Sequence, residues 1–254
     1  MLPPNLLVFD FDGVIVNGMN EYWWSARRAC LRLHPGADLP ESAPEQFRQL
    51  RPWIHHGWEM VLIAALLSEQ AGPLEQLGVA TFVADYGAHC AAALERFGWN
   101  PRLLQQALEA VRADAVRTDR DAWLALHEPY PGVPERLNAL AQENLSWAVL
   151  TTKARHFTAE LLASMGLNPA RLDGHESGSK PEVLRRLTAD WRLVGFVEDR
   201  RPTLETVQVT PGLETLPCWL VSWGYLKPTD LQGLPEGIRL LSQEQFAAPL
   251  ATWP

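Results

Sequence analysis

Leu6-Leu7-Val8-Phe9-Asp10-Phe11-Asp12-Gly13-Val14 runs a short apolar stretch straight into two carboxylates spaced two apart and then a glycine. An apolar run of this length bounded by glycine has the form of a strand buried in a parallel sheet, and such sheets bind ligands at the carboxyl ends of their strands. Asp10 stands at that end. Side chains two apart on an extended chain point the same way, so Asp10 and Asp12 can face one reacting group, one as nucleophile and the other as acid and base. Gly13 then lets the chain turn away. Taken alone, Asp-x-Asp also suits a solvated turn after a strand, and the rest of the chain has to decide between the two.

From Met19 to about Ala125 the pattern is helical. Segments such as Glu21–Leu33, Trp58–Gln70, Ala80–Phe97 and Arg102–Arg117 are separated by Pro35, Pro40, Pro44, Pro73 and Pro101. The turn-rich segment Glu128-Pro129-Tyr130-Pro131-Gly132-Val133-Pro134 ends this region. Beyond it, strand candidates at Ser146–Leu150, Arg171–Leu172, Leu193–Val197, Cys218–Val221 and Ile238–Leu241 alternate with helical stretches such as Arg155–Met165 and Pro181–Trp191. This alternation predicts an α/β fold with a doubly wound parallel sheet. A strand over Asn5–Asp10 cannot stand alone, so residues 1–17 and 131–254 are expected to share one sheet, with residues 18–130 inserted as a helical domain.

The chain has 254 residues, 47% of them hydrophobic, enough for a sizeable core. A formal net charge of -8 argues against general affinity for nucleic acid or anionic membrane and favours a small-molecule substrate. Cys30, Cys90 and Cys218 are few, odd in number and lack Cys-x-x-Cys spacing, which points to a reducing compartment. No signal peptide is readable, and the longest apolar run, Met60 to Leu67, is too short to span a bilayer. A cytoplasmic protein, monomeric or homodimeric, is expected.

Three further sites follow Asp10 and Asp12 in order. Val149-Leu150-Thr151-Thr152-Lys153 sets two hydroxyls at a strand end before a helix, where a hydroxyl and backbone N–H groups can hold a phosphoryl oxygen; Thr152 also suits a helix N-cap. Gly178-Ser179-Lys180-Pro181-Glu182 places a lysine beside a proline suited to a first helical turn, and its ammonium can offset a phosphate and an aspartate together. Lysine is rare here: Lys153, Lys180 and Lys227 are the only three. Val194-Gly195-Phe196-Val197-Glu198-Asp199 is an apolar strand ending in two acids, a natural source of hard oxygen ligands for magnesium.

In the order and spacing of these motifs the chain resembles the haloacid dehalogenase superfamily. Tyr130-Pro131-Gly132-Val133-Pro134-Glu135, the Thr-Thr-Lys run and Val221-Ser222-Trp223-Gly224-Tyr225 resemble its phosphoglycolate phosphatase and phosphoglucomutase-like branch. The resemblance implies a Rossmann-like core with a helical cap inserted after the first motif. It implies Asp10 as the nucleophile that forms an aspartyl-phosphate, Asp12 as acid and then base, and Thr151 and Lys180 as holders of the phosphoryl group. It implies Mg2+ held by Asp10, the backbone carbonyl of Asp12, and Asp199, with Glu198 or, less directly, Glu205 as the second late carboxylate. The chain departs from the common pattern where Glu198-Asp199 is followed by Arg200-Arg201-Pro202-Thr203-Leu204-Glu205, and where Asn17-Gly18 replaces Asp-Ser.

In such enzymes the cap selects the substrate. The stretch Arg51-Pro52-Trp53-Ile54-His55-His56-Gly57-Trp58-Glu59 offers Arg51, His55, His56 and Glu59 as substrate contacts, with Thr152 from the core. The expected activity is magnesium-dependent hydrolysis of a small phosphorylated metabolite. A phosphomutase shares the first step, and a catalytically silent binding or regulatory protein would share the fold. A dehalogenase has no use for Asp12 and Asp199. A phosphonatase needs a cap lysine, and residues 18–130 contain none.

Overall fold

The computed structural model describes residues 3–254, which divide into two compact units. One comprises residues up to Asn17 together with Glu128–Pro254; the other is Gly18–His127. The chain returns to the first unit at Glu128, three residues before the expected position, because Glu128–Pro129 (β3) pairs antiparallel with Val16–Asn17 (β2).

The first unit is built on a six-stranded parallel sheet. In chain order its strands are β1 (Asn5–Phe9), β4 (Ser146–Leu150), β5 (Arg171–Asp173), β6 (Arg192–Glu198), β7 (Cys218–Val221) and β8 (Ile238–Leu241), and in space they run β5-β4-β1-β6-β7-β8. The chain fills one side of β1 with β4 and β5, then crosses to the other with β6. The switch therefore falls at β1, and a crevice for ligands opens beyond the carboxyl ends at such a point.

Both faces of the sheet are covered, as the near-continuous apolar strands require. On one face Leu6, Val8, Leu150, Phe196 and Leu220 pack with Val183, Leu184 and Leu187 of the helix Lys180–Leu187 and with Leu204 and Val207 of Arg201–Gln208. The opposite face is aromatic. Phe9 meets Trp147 and Phe246 edge-on, and Trp219 and Phe246 both contact Trp253. The pairing of β1 with β6 slips between Leu6 and Leu7, and beyond the slip Gly195 lies where any Cβ would run into the Trp219 ring, so the bulge and the glycine together admit that indole.

The second unit is helical: α1 (Met19–Leu33), α2 (Glu45–Leu50), α3 (Gly57–Leu67), α4 (Pro73–Ala84), α5 (Tyr86–Phe97), α6 (Pro101–Thr118) and α7 (Arg120–Leu124). The helices of the first unit follow as α8 (Val133–Ala139), α9 (Arg155–Ser164), α10 (Lys180–Leu187), α11 (Arg201–Gln208) and α12 (Gln243–Ala247). Residues from Glu59 to Leu66 are buried all round α3, the mark of a central helix, and it packs on α1 and α6. The helix expected over Ala80–Phe97 is instead two, broken at Asp85, whose φ of -134° and ψ of 52° are not helical; the first already begins at Pro73 and kinks at Gly78.

Between α1 and α6 a fully buried carboxylate is saturated. Glu21 takes two 2.7 Å bonds from the Arg112 guanidinium, one from the Ser25 hydroxyl and one of 3.4 Å from the Trp123 indole. His127, bonded through Nδ1 to the Trp123 carbonyl, brings Nε2 to 3.9 Å from Glu21.

Candidate active site

The register of the sheet explains what meets at its carboxyl edge. Phe9 is level with Val149 of β4 and with Val197 of β6. Asp10 therefore leaves β1 level with Leu150 and Glu198, the last residues of its two neighbours, with Thr151 and Asp199 next along each, and its N–H is held by the Val197 carbonyl at 2.9 Å. Asp10, Thr151, Lys180, Glu198 and Asp199 are all buried. Gly13 turns the chain at φ +90°, a conformation that favours glycine, and a Cβ there would collide with Asp199 Oδ2.

Lys180 begins α10 behind a capping box in which Ser179 and Glu182 satisfy each other's backbone N–H groups, with Pro181 in the first turn. That start aims its side chain inward. Nζ lies 2.8 Å from Asp10 Oδ1 and 2.6 Å from Glu198 Oε2. Glu198 Oε1 accepts the backbone N–H groups of Asp199 at 3.0 Å and Arg200 at 3.1 Å. Asp10, Glu198 and Asp199 each offer a carboxylate oxygen within 4.8 Å of the others'. Glu205 is drawn away: it sits on α11 and pairs with Arg201 at 2.8 Å.

Burial disfavours a charged Asp10 and Glu198 adds repulsion; against the pull of Lys180, these push its carboxyl up to about 7. Burial raises Glu198 as well, with Lys180 opposing. Burial works against the Lys180 ammonium, but the two carboxylates outweigh it and hold it charged above the ordinary range. Four carboxylates, Asp10, Asp12, Glu198 and Asp199, face two ammonium groups, Lys153 and Lys180. Hard oxygen donors with an excess of negative charge fit a divalent cation of the magnesium type.

Thr151 is fixed by its N–H to the Asp173 carbonyl at 3.0 Å, and its hydroxyl accepts the Lys153 N–H at 3.1 Å, which leaves the hydroxyl proton to donate. Thr152 is exposed and is not a helix cap, because α9 starts at Arg155 behind Ala154. Lys153 has no role in the sequence reading. The structure buries it with Nζ 3.5 Å from Asp12 Oδ1, and its rarity at a strand end was the available signal.

In the helical unit the stretch 51–59 has a structural task of its own. Glu59 is buried and its carboxylate accepts the backbone N–H groups of His55 and His56, completing a capping box at the start of α3. Arg51 stacks 4.8 Å over the Tyr22 ring and donates to the Ile54 carbonyl at 3.3 Å. His55 and His56 are exposed, and His56 stacks on Trp58.

The family profile of haloacid dehalogenase-like hydrolases matches residues 4–200, more than half of the chain. The chain belongs to that family. Solved structures share the fold of this hydrolase over nearly its whole length. A predicted phosphatase from Clostridium acetobutylicum matches with a TM-score of 0.61 and 14% identity, covering 96% of this chain and 97% of its own. A predicted phosphoglycolate phosphatase from Haemophilus somnus matches with a TM-score of 0.60 and 17% identity, over 95% and 94%. A haloacid dehalogenase-like family hydrolase from Streptococcus pneumoniae matches with a TM-score of 0.53 and 13% identity, over 94% and 95%. No curated protein matches the sequence. Among the described residues no helix is long and apolar enough to cross a membrane.

Proposed function

We propose that this hydrolase is a magnesium-dependent phosphatase acting on a small phosphorylated metabolite through an aspartyl-phosphate on Asp10. The observation that carries the reading is Lys180, held between Asp10 and Glu198 at 2.8 and 2.6 Å where β1 and β6 end. A cation fixed there opposes the upward push of burial and Glu198 on the Asp10 carboxyl and supplies positive charge for an incoming phosphoryl oxygen. Two of the solved structures with this fold carry phosphatase descriptions, which agrees with the reading.

In the first step an Asp10 carboxylate oxygen attacks phosphorus, the bond from phosphorus to the ester oxygen breaks, and the Asp12 carboxyl gives that oxygen its proton. In the second step the Asp12 carboxylate takes a proton from water as the water oxygen attacks phosphorus, releasing inorganic phosphate and restoring Asp10. Thr151 and Lys180 hold the transferring oxygens, where fixed donors and charge contribute most of the rate. Asp10, the Asp12 carbonyl, Glu198 and Asp199 would hold the magnesium ion, whose charge would offset repulsion between phosphate and carboxylate. Residues 18–127 serve as the cap, with Arg51, His55 and His56 as substrate contacts, and the protein works in the cytoplasm. Release of inorganic phosphate from a panel of phosphorylated metabolites, with and without Mg2+, tests this. Metal-dependent release is expected; isomerisation of a phosphosugar without release, or no turnover by folded, metal-binding protein, would overturn it.

A further inference from the structure

The loop after β7, residues 222–233, reaches the carboxyl edge, where the backbone N–H of Tyr225 donates to Asp199 Oδ2 at 2.8 Å. It comes in so close that glycine is required on both sides. A Cβ on Gly224 would overlap Asp199 Cβ and lie 2.7 Å from the Gly13 carbonyl, and one on Gly13 would strike Asp199 Oδ2 and lie 3.0 Å from the Tyr225 ring.

What fixes the loop in that position is a set of side-chain ties to the segment just after Asp12-Gly13. The Tyr225 hydroxyl donates to Asn17 Oδ1 at 2.8 Å, and the Trp223 indole donates to the Val14 carbonyl at 3.1 Å. At its far end the loop is clamped by Arg201, whose guanidinium donates to the carbonyls of Gln232 at 2.5 Å and Gly233 at 3.0 Å. A single loop thus grips both the turn that carries Asp12 and the carboxylate of Asp199.

Resting on the phosphatase reading, we infer that Tyr225 is a positioning residue for the cation ligand Asp199: its phenol, tied to Asn17, holds the backbone N–H that orients the carboxylate. Partners that orient a metal ligand typically change affinity about 10–100-fold when removed. The amide of Asn17, where the common pattern has an acid, is then an acceptor for a phenol rather than a spare charge.

Calorimetric titration of the full chain with Mg2+ alone tests the inference without using turnover. Tyr225→Phe keeps the ring and the backbone N–H but loses the tie, and about tenfold weaker binding is expected. Asn17→Ala, which breaks the same bond from the other side, should weaken binding equally, and the double variant no further. Asn17→Asp keeps an acceptor oxygen and should retain tighter binding than Asn17→Ala. Unchanged Mg2+ affinity in Tyr225→Phe, with only the melting temperature lowered, would mean that the phenol merely packs the loop, and the inference would fail. Absence of Mg2+ binding by the unsubstituted protein would instead sink the metal-dependent reading, and this inference with it.

Discussion

Both units bury charge, and they do it differently. In the helical unit Glu21 is met by one guanidinium, bidentate and at 2.7 Å, with a hydroxyl and an indole completing its bonds. At the strand ends Asp10, Asp12, Glu198 and Asp199 share two ammonium groups, and Asp10 is pushed up to about 7 by burial and by Glu198. A buried ion pair costs desolvation that good geometry largely offsets, so it serves architecture. Carboxylates gathered in excess, out of water, serve architecture poorly and cation or phosphoryl chemistry well. Saturation is what separates the two, and substitutions can test it in opposite directions.

The largest effect is expected at Asp10. Asp10→Asn removes the nucleophile and should lower turnover at least about 10⁴-fold, as loss of a nucleophile does elsewhere. It also removes one of the crowded carboxylates, so the metal-free melting temperature should hold or rise; a clear fall would put Asp10 in the architectural class. Arg112→Leu is the converse. It leaves Glu21 buried and uncompensated, a loss of about 3–5 kcal/mol of stability in chemical denaturation, while kcat per folded molecule stays unchanged. If Arg112→Leu proves neutral in stability, the saturated cluster is not what holds α1 to α6.

Gly13→Ala comes next. It asks an L-residue to adopt φ +90°, a strain of about 1–2 kcal/mol, and drives a methyl into Asp199. Mg2+ binding should weaken and the melting temperature should drop, whereas unaltered Mg2+ affinity would contradict the tight fit around Asp199. The smallest effect belongs to Asp173. Burial opposes its charge, but hydrogen bonds from Arg171 and Ser177 hold its carboxyl below the ordinary range. A folded-state pKa below the unfolded one gives stability that is present above the ordinary pKa and lost as pH falls through the lowered one. Arg171 is half exposed, so Arg171→Ala should cost less than about 1 kcal/mol at pH 7, and the difference should fade in denaturation series taken down towards pH 3.

Much of this contrast was legible in the sequence on one side only. The parallel sheet was readable because strands buried on both faces are apolar throughout, and Asp10, Glu198 and Asp199 stood out at their ends, with Lys180 at a helix start. The helical unit's polar core was not readable. Glu21 and Arg112 are 91 positions apart, and on helices each looks like a surface charge until α1 and α6 meet. The break at Asp85 was hidden because Ala80–Phe97 keeps helical composition across it; the interruption lies in one residue's backbone angles. Glu59 looked available for substrate, but its spacing from His56 is also that of a capping box, which is the role its geometry takes. The role of Tyr225 has no local signal in the sequence, because its bond to Asn17 spans 208 residues.

The most direct test is a single turnover of p-nitrophenyl phosphate with Mg2+, quenched in acid and mapped by peptide mass. One phosphoryl group is expected on Asp10 in the unsubstituted protein and none in Asp10→Asn. Phosphate released with Asp10 never modified, or a phosphoryl group on another residue, would contradict it.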